Sequence, residues 1–202
     1  MNAMGMHEFI RGRRSTRQFQ NHPVSRSAIE RILTSATFAP SAHNRQPWRF
    51  AVVSSPSRRA RLADSMAAAY QSDLNDDGMA PARVLARVKE SRAKILGAPV
   101  VVVLCMDQSE MDRYPDARRR EAERIMAVQS TANAGATLLL AVHAEGLGGV
   151  WNCAPLFACQ AVVSALELPA TWEPQGMILI GKPAVSSKVP ARKPLADVAA
   201  FL

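Results

Sequence analysis

The sequence predicts one globular domain, residues 1–202, in which helices and short strands pack around a buried central helix. Three observations lead there. The chain has 202 residues, 48% hydrophobic and 21% charged, enough for a sizeable core and short for two. The stretch IMAVQSTANAGATLLLAVHAEGLGGVW, residues 125–151, is apolar or small almost all round, as in a helix covered on most sides. The run VVVVLCM, residues 100–106, is rich in β-branched residues and reads as a strand buried on both faces.

The central stretch is long enough to span a bilayer. However, Gln129, Ser130, Asn133, His143 and Glu145 would be costly in hydrocarbon. The helix therefore belongs in the middle of the molecule or at a subunit interface. Ala127, Ala132, Ala134, Gly135 and Ala136 allow close backbone approach on more than one side. Gly146, Gly148 and Gly149 stop the helix and open a backbone turn, where a flat ligand can reach main-chain N–H groups without a Cβ in the way. The plainer alternative is a core helix with a glycine C-cap.

In chain order, residues 6–12 read as a short helix ending at Gly12. RRSTRQF, residues 13–19, follows, with Arg13, Arg14, Ser15 and Arg17 within five positions. Guanidinium forks suit phosphate oxygens. In an extended segment Arg13, Ser15 and Arg17 share one face; a solvated basic turn is the alternative. Ser25 can cap a helix whose apolar positions Ile29, Ile32, Leu33 and Ala36 repeat at helical spacing, with Val24 stapled to Ile29. APSAHNRQPWRF, residues 39–50, is a turn-rich loop feeding a strand over 49–54. Pro40, Ser41, Asn44, Gln46, Pro47 and Trp48 could wall a heteroaromatic ring, or Trp48 could simply anchor the loop to the core.

A helix starts at Ser55-Pro56-Ser57, and QSDLNDDGM, residues 71–79, reads as a polar loop or lid. Helices follow over 81–96 and from Pro155 to Leu166, and strands over 149–152 and 175–181. YPDARRREAER, residues 114–124, leads into the central helix with its charges on a solvated face, and the tail after 181 is extended.

The net charge of +8 favours anionic ligands. Yet 20 of the 25 basic residues are Arg in an Ala-rich chain, which is also what nucleotide composition alone can produce. Aromatics do not interleave with the basic residues, as stacking on single strands requires. Cys105, Cys153 and Cys159 form no C-x-x-C pair and read as buried free thiols. The N-terminal residues hold no apolar signal segment, so a cytoplasmic location is expected. No nucleophile elbow, phosphate-binding lysine loop or zinc-protease motif occurs. The histidines at 7, 22, 43 and 143 are scattered, and no metal role or catalytic side chain is expected. A bound organic cofactor would then carry the chemistry.

RRSTRQF, APSAHNRQPWRF, GLGGVWN and the tail segment ARKPLADV, in this order over nearly the whole chain, resemble the FMN-dependent nitroreductase family. The resemblance implies an α+β fold, a mostly antiparallel central sheet flanked by helices, in an intertwined homodimer with two FMN sites at the interface. It implies that Arg13, Arg14, Ser15 and Arg17 hold the FMN phosphate and ribityl chain, with Arg192 reaching the same phosphate. Pro40, Ser41, Ala42 and Asn44 would line the flavin from the other subunit, and Gly148 and Gly149 would offer N–H groups to the ring. QSDLNDDG, YPDARRREAERIM and LPATWEPQGMILIG further resemble the nitroreductase-like domain of the ligase that adds glutamates to the deazaflavin coenzyme. SAHNRQPW is nearer the general nitroreductases, and no ligase domain accompanies these residues.

The implied activity is two-step hydride transfer from a small-molecule donor such as NAD(P)H, through FMN, to an electron-poor acceptor, with a deazaflavin-coenzyme precursor as one such acceptor. No nucleic-acid or membrane partner is expected. The rival reading is a non-catalytic flavin or deazaflavin carrier. Basic positions 83, 87 and 94 fall near one helical face beside residues 71–79, which would give the pocket a basic rim suited to an anionic acceptor.

Overall fold

Alternate residues of VVVVLCM serve two different cores, and this divides the molecule into layers. The structure is a computed structural model describing residues 3–187 and 189–202. Its strands are β1 (Trp48–Val53), β2 (Val100–Met106), β3 (Gly148–Asn152) and β4 (Glu173–Gly181). They form one sheet in the order β1-β2-β4-β3, with every pairing antiparallel. Its helices are α1 (Ala3–Gly12), α2 (Arg26–Ala36), α3 (Pro56–Asp76), α4 (Pro81–Leu96), α5 (Ala117–Ala144) and α6 (Cys159–Leu166).

Val101, Val103 and Cys105 pack with Leu62, Met66, Ile95 and Val162, so α3, α4 and α6 cover one face. Val100 and Val102 pack with Ile29, Ile32, Leu138 and Val142, so α2 and α5 cover the other. The period of two along a strand makes this division. Burial on both faces explains an unbroken apolar run in a sheet that is antiparallel. The expected α+β architecture, a mostly antiparallel sheet flanked by helices, is the one found.

The Ser25 cap is present, its Oγ accepting from the Ala28 N–H at 3.2 Å. The central helix starts earlier than residue 125, because Asp116 caps it, accepting from the Arg119 N–H at 2.9 Å. It ends in a Schellman motif: Gly146 has φ 69°, and the Gly146 and Leu147 N–H groups each donate at 3.1 Å, to His143 O and Val142 O. Gly146 is thus the cap, whereas Gly148 and Gly149 lie inside β3 and not in an open turn.

Residues 71–79 correct the sequence reading. They are helical to Asp76, because Leu74 continues the buried series of Leu62, Ala63, Met66 and Ala67. The stop comes from Gly78, φ 69°, with Met79 N–H donating to Leu74 O at 3.1 Å. Polar composition there marks a solvated helix face and not a lid. The helix expected from Pro155 is likewise split, into a 3-10 turn over Ala154–Phe157 and α6.

Only one side of α5 is covered by this chain. Ala127, Ala134, Leu138 and Val142 are buried, but Ile125 is 47% exposed and Ala132 and Ala136 lie open. By length and composition alone α5 could cross a membrane; its docking onto the sheet makes it a core helix with a bare apolar stripe.

Asp107 links the sheet to the loop before β4. Its N–H donates to Pro47 O at 2.8 Å. Its carboxylate accepts from Ser109 N (2.9 Å), Ser109 Oγ (2.5 Å) and Thr171 Oγ1 (3.0 Å), with Arg49 at 3.8 Å. Burial pushes its pKa up, but the Ser109 and Thr171 bonds and the Arg49 charge outweigh this and hold it below the ordinary carboxylate value. The stability it contributes is therefore present above about pH 4 and lost as pH falls through the folded-state value. In urea unfolding, the stability gap between the wild type and Asp107→Asn should narrow from pH 7 to pH 3. A constant gap would show that the group does not stabilise the fold through its charge.

Candidate functional site

The basic segment after α1 forms an extra edge beside β3. Thr16 N–H donates to Gly149 O at 3.1 Å, Gln20 N–H to Lys182 O at 2.8 Å, and Ala184 N–H to Gln18 O at 3.0 Å. Residues 15–20 are therefore extended and held between β3 and the tail, as the bridges Ser15–Gly149 and Phe19–Pro183 also show. Thr16 is only 5% exposed and faces inward. A Cβ added at Gly148 would lie 2.5 Å from its Oγ1, so glycine at 148 lets the segment approach. Alternation then turns Ser15 and Arg17 outward. Sequence reasoning missed Thr16, whose signal was its place between two outward residues opposite a glycine pair.

Arg13, Arg14, Ser15, Arg17 and Arg192 line one cleft of about 580 Å³. An adjoining cleft of about 470 Å³ shares Arg13 and Arg14 and reaches Gly148 and Gly149. A third, of about 670 Å³, shares Arg13, Arg14 and Arg192 and is walled by Ala136, Leu139 and Leu140, where Ala136 lies on the bare side of α5 and Leu139 packs partly against the core. Seven of the expected residues thus meet in one place. Among the described residues, none of Arg13, Arg14, Arg17 and Arg192 is paired with a carboxylate. Four guanidinium groups without a counter-ion make a strong anion site. Arg14 is partly committed elsewhere, donating to Arg13 O at 2.9 Å and to Arg11 O, where it caps the end of α1.

Pro40, Ser41, Ala42 and Asn44 do not join this cluster within one chain. Their loop is docked on α5 by Ala42 N–H to Ser130 Oγ (3.1 Å) and Asn133 Nδ2 to Pro40 O (3.3 Å). His43, Asn44 and Gln46 take left-handed φ values of 50°, 54° and 49°, a costly conformation for residues with a Cβ. Bonds from Gln46 N–H to Ser41 Oγ (3.2 Å) and from Asn44 N–H to Ser41 O (3.1 Å) hold it. Trp48 is buried among Ala39, Leu104 and Ala134, so it anchors the loop and offers no free plane.

A separate cleft of about 630 Å³ opens at the other end of β3, lined by Tyr70, Asn152, Cys153 and Phe157 together with Asp73, Asp77, Arg87, Glu90 and Lys94. The basic rim expected from α4 is not found here. Three acids face two bases, and Lys94 is paired with Glu90 at 2.8 Å. Cys153 is exposed, contrary to its apolar surroundings in sequence, and its Sγ accepts from the Trp151 indole N–H at 3.1 Å. All three cysteines are free. Burial pushes the Cys105 thiol up to about 12, which makes it inert at neutral pH.

Comparison with known proteins shows the family and the fold. A relative from Rhodospirillum rubrum, 5,6-dimethylbenzimidazole synthase, is 29% identical over 202 residues, 92% of this chain and 85% of the relative. A nitroreductase from Desulfovibrio desulfuricans, solved in complex with FMN, is 27% identical with a TM-score of 0.74, covering 100% of this chain and 98% of the other. A BluB-like flavoprotein from Clostridium difficile superposes with a TM-score of 0.81 at 23% identity, over 98% of each chain, and bears on the fold alone. A model of the nitroreductase family matches residues 10–182, and the chain belongs to that family.

Proposed function

We propose that the protein is an FMN-dependent oxidoreductase that carries hydride from a reduced nicotinamide or deazaflavin donor to an electron-poor acceptor. The observation that carries this reading is the cluster of Arg13, Arg14, Arg17 and Arg192, free of carboxylate partners beside the Gly148-Gly149 edge. These residues fit FMN: the cations suit a phosphate dianion, and Ser15 adds a hydroxyl donor. When bound, FMN supplies acceptance and donation of hydride. Arg13, Arg17 and Arg192 would hold the phosphate, whereas the N–H groups of Gly148 and Gly149 face β4 and the 15–16 segment within the sheet. No side-chain acid or base is required of this chain.

Pro40, Ser41, Ala42 and Asn44 complete the site from a second copy. The bare stripe of α5, which reaches the arginine cleft at Ala136, supplies an apolar surface for that copy. The protein is expected to be a homodimer, and a monomeric mass by light scattering at micromolar concentration would remove the two-subunit site.

The acceptor class includes a dehydro precursor of the deazaflavin coenzyme, on the resemblance of three segments. The cleft lined by Tyr70, Asn152 and Cys153 shares no residue with the arginine clefts, so turnover, and not this cleft, separates an enzyme from a flavin carrier. The test is an absorbance spectrum of the purified protein, then turnover with NADH, NADPH and reduced deazaflavin. A flavin band and turnover are expected; protein that neither carries nor takes up FMN would end the reading. The Rhodospirillum relative supports one alternative, synthesis of 5,6-dimethylbenzimidazole, which chromatography of the same reaction mixtures would detect.

A further inference from the structure

We propose that His43, Asp112 and Glu123 form a binding site for a divalent transition cation of the zinc class, which clamps the strained 41–46 loop onto the start of α5. Each residue offers one ligand atom, and these atoms all lie within 4.8 Å of one another. Metal bonds of about 2.0–2.2 Å would draw them to roughly 3.5 Å apart. The exposed His43 ring can make that closure by a rotamer change.

A second observation points to a missing partner. Glu123 is 4% exposed, and its Oε2 is buried with no hydrogen-bond donor. A buried carboxylate left in this state is costly unless a cation neutralises it. Glu123 lies one heptad before Ser130, on the buried face of α5. Ser130 already docks the loop by accepting from the Ala42 N–H at 3.1 Å. The cluster thus continues an existing seam between loop and helix.

The donor set selects the class of ion. One imidazole nitrogen with two carboxylate oxygens suits zinc or manganese, whereas magnesium and calcium favour all-oxygen sites. Arg45 is the nearby cation, paired with Asp112 Oδ1. Asp112 can bridge, one oxygen to Arg45 and the other to the ion. Coordination would also add a tie at His43, which holds φ 50° and otherwise depends on neighbouring hydrogen bonds. The ligands are spread over 43, 112 and 123, so no short-range spacing reveals them, and the sequence-based expectation of no metal role could not have included them.

The test is calorimetric titration of the purified, chelator-treated full chain with zinc chloride, repeated with manganese chloride, alongside thermal melts. One saturable ion per chain and a raised Tm are expected with at least one metal. His43→Ala and Glu123→Gln should each weaken binding at least tenfold, since losing even an outer partner of a metal ligand costs about 10–100-fold. His43 is exposed, so its variant decides the matter if Glu123→Gln fails to fold. Absence of saturable binding with either metal overturns the proposal. So does binding that His43→Ala leaves unchanged, which would place the ion elsewhere, for example at Cys153.

Discussion

Arg13→Ala should hold FMN about 1.5–3 kcal/mol less tightly, roughly 10- to 150-fold, as for one charge-assisted hydrogen bond lost. The same is expected of Arg17→Ala. Both side chains line the cleft of about 580 Å³, and neither has a carboxylate partner to reorganise. Truncation therefore removes a ligand contact and leaves no buried acid exposed. Arg14→Ala should behave differently. Its guanidinium binds the carbonyls of Arg11 and Arg13, so the change should lower thermal stability as well as affinity. Fluorescence titration of FMN into the stripped proteins measures the first effect and thermal melts the second. Unchanged affinity in both Arg13→Ala and Arg17→Ala would reduce the RRSTRQF segment to a solvated basic turn.

Gly135→Val is expected to be the most damaging single change in the central helix. An added Cβ would run into the Trp151 ring and lie 2.7 Å from Leu104 Cδ2. Trp151 cannot retreat toward β4, because a Cβ at Gly176 would already lie 2.9 Å from its Nε1; the indole fills a slot between two glycines. Overpacking of this kind costs about 1–3 kcal/mol or more, whereas the helix-propensity gain on leaving glycine is below about 1 kcal/mol. For a chain of this size the net loss should lower Tm by roughly 2–10 °C. Trp151 sits two residues after Gly149 and two before Cys153, so the shift should also loosen FMN. A variant with unaltered Tm would show that the indole has another place to go.

Periodicity carried most of the fold. The VVVVLCM run matched β2 residue for residue, and Pro81 to Leu96 matched α4, because apolar spacing and proline starts act locally. Residues 71–76 were misread because their polar side chains are the outer face of a helix whose inner face shows only Leu74. Cys153 was misread as buried because its apolar neighbours pack inward while it lies at a cleft mouth. Within the site, RRSTRQF was legible as chemistry suited to a phosphate, and the glycines were read as an approach for a flat ligand. Their meeting with Arg192 came only from the family resemblance and not from local pattern, since it depends on backbone bonds between distant segments. The left-handed turn at His43, Asn44 and Gln46 was hidden too, as no glycine marks it.

The pinning of residues 15–20 against 182–184 has a consequence for the order of assembly. Gln20 Nε2 bonds Pro183 O across a sequence separation of 163, so the anion cleft is closed by almost the longest loop this chain can form. Contacts of such separation are slow to form, since the loop must be ordered before they reward it. A growing chain cannot make them until residues 182–192 have left the ribosome. The helices and the strand pair β1–β2 can be in place well before. Competence to capture the flavin should therefore arise last in refolding. Pulsed hydrogen exchange should protect the Val101–Val103 amides before those of Thr16 and Gln20, and the reverse order would contradict this sequence of events.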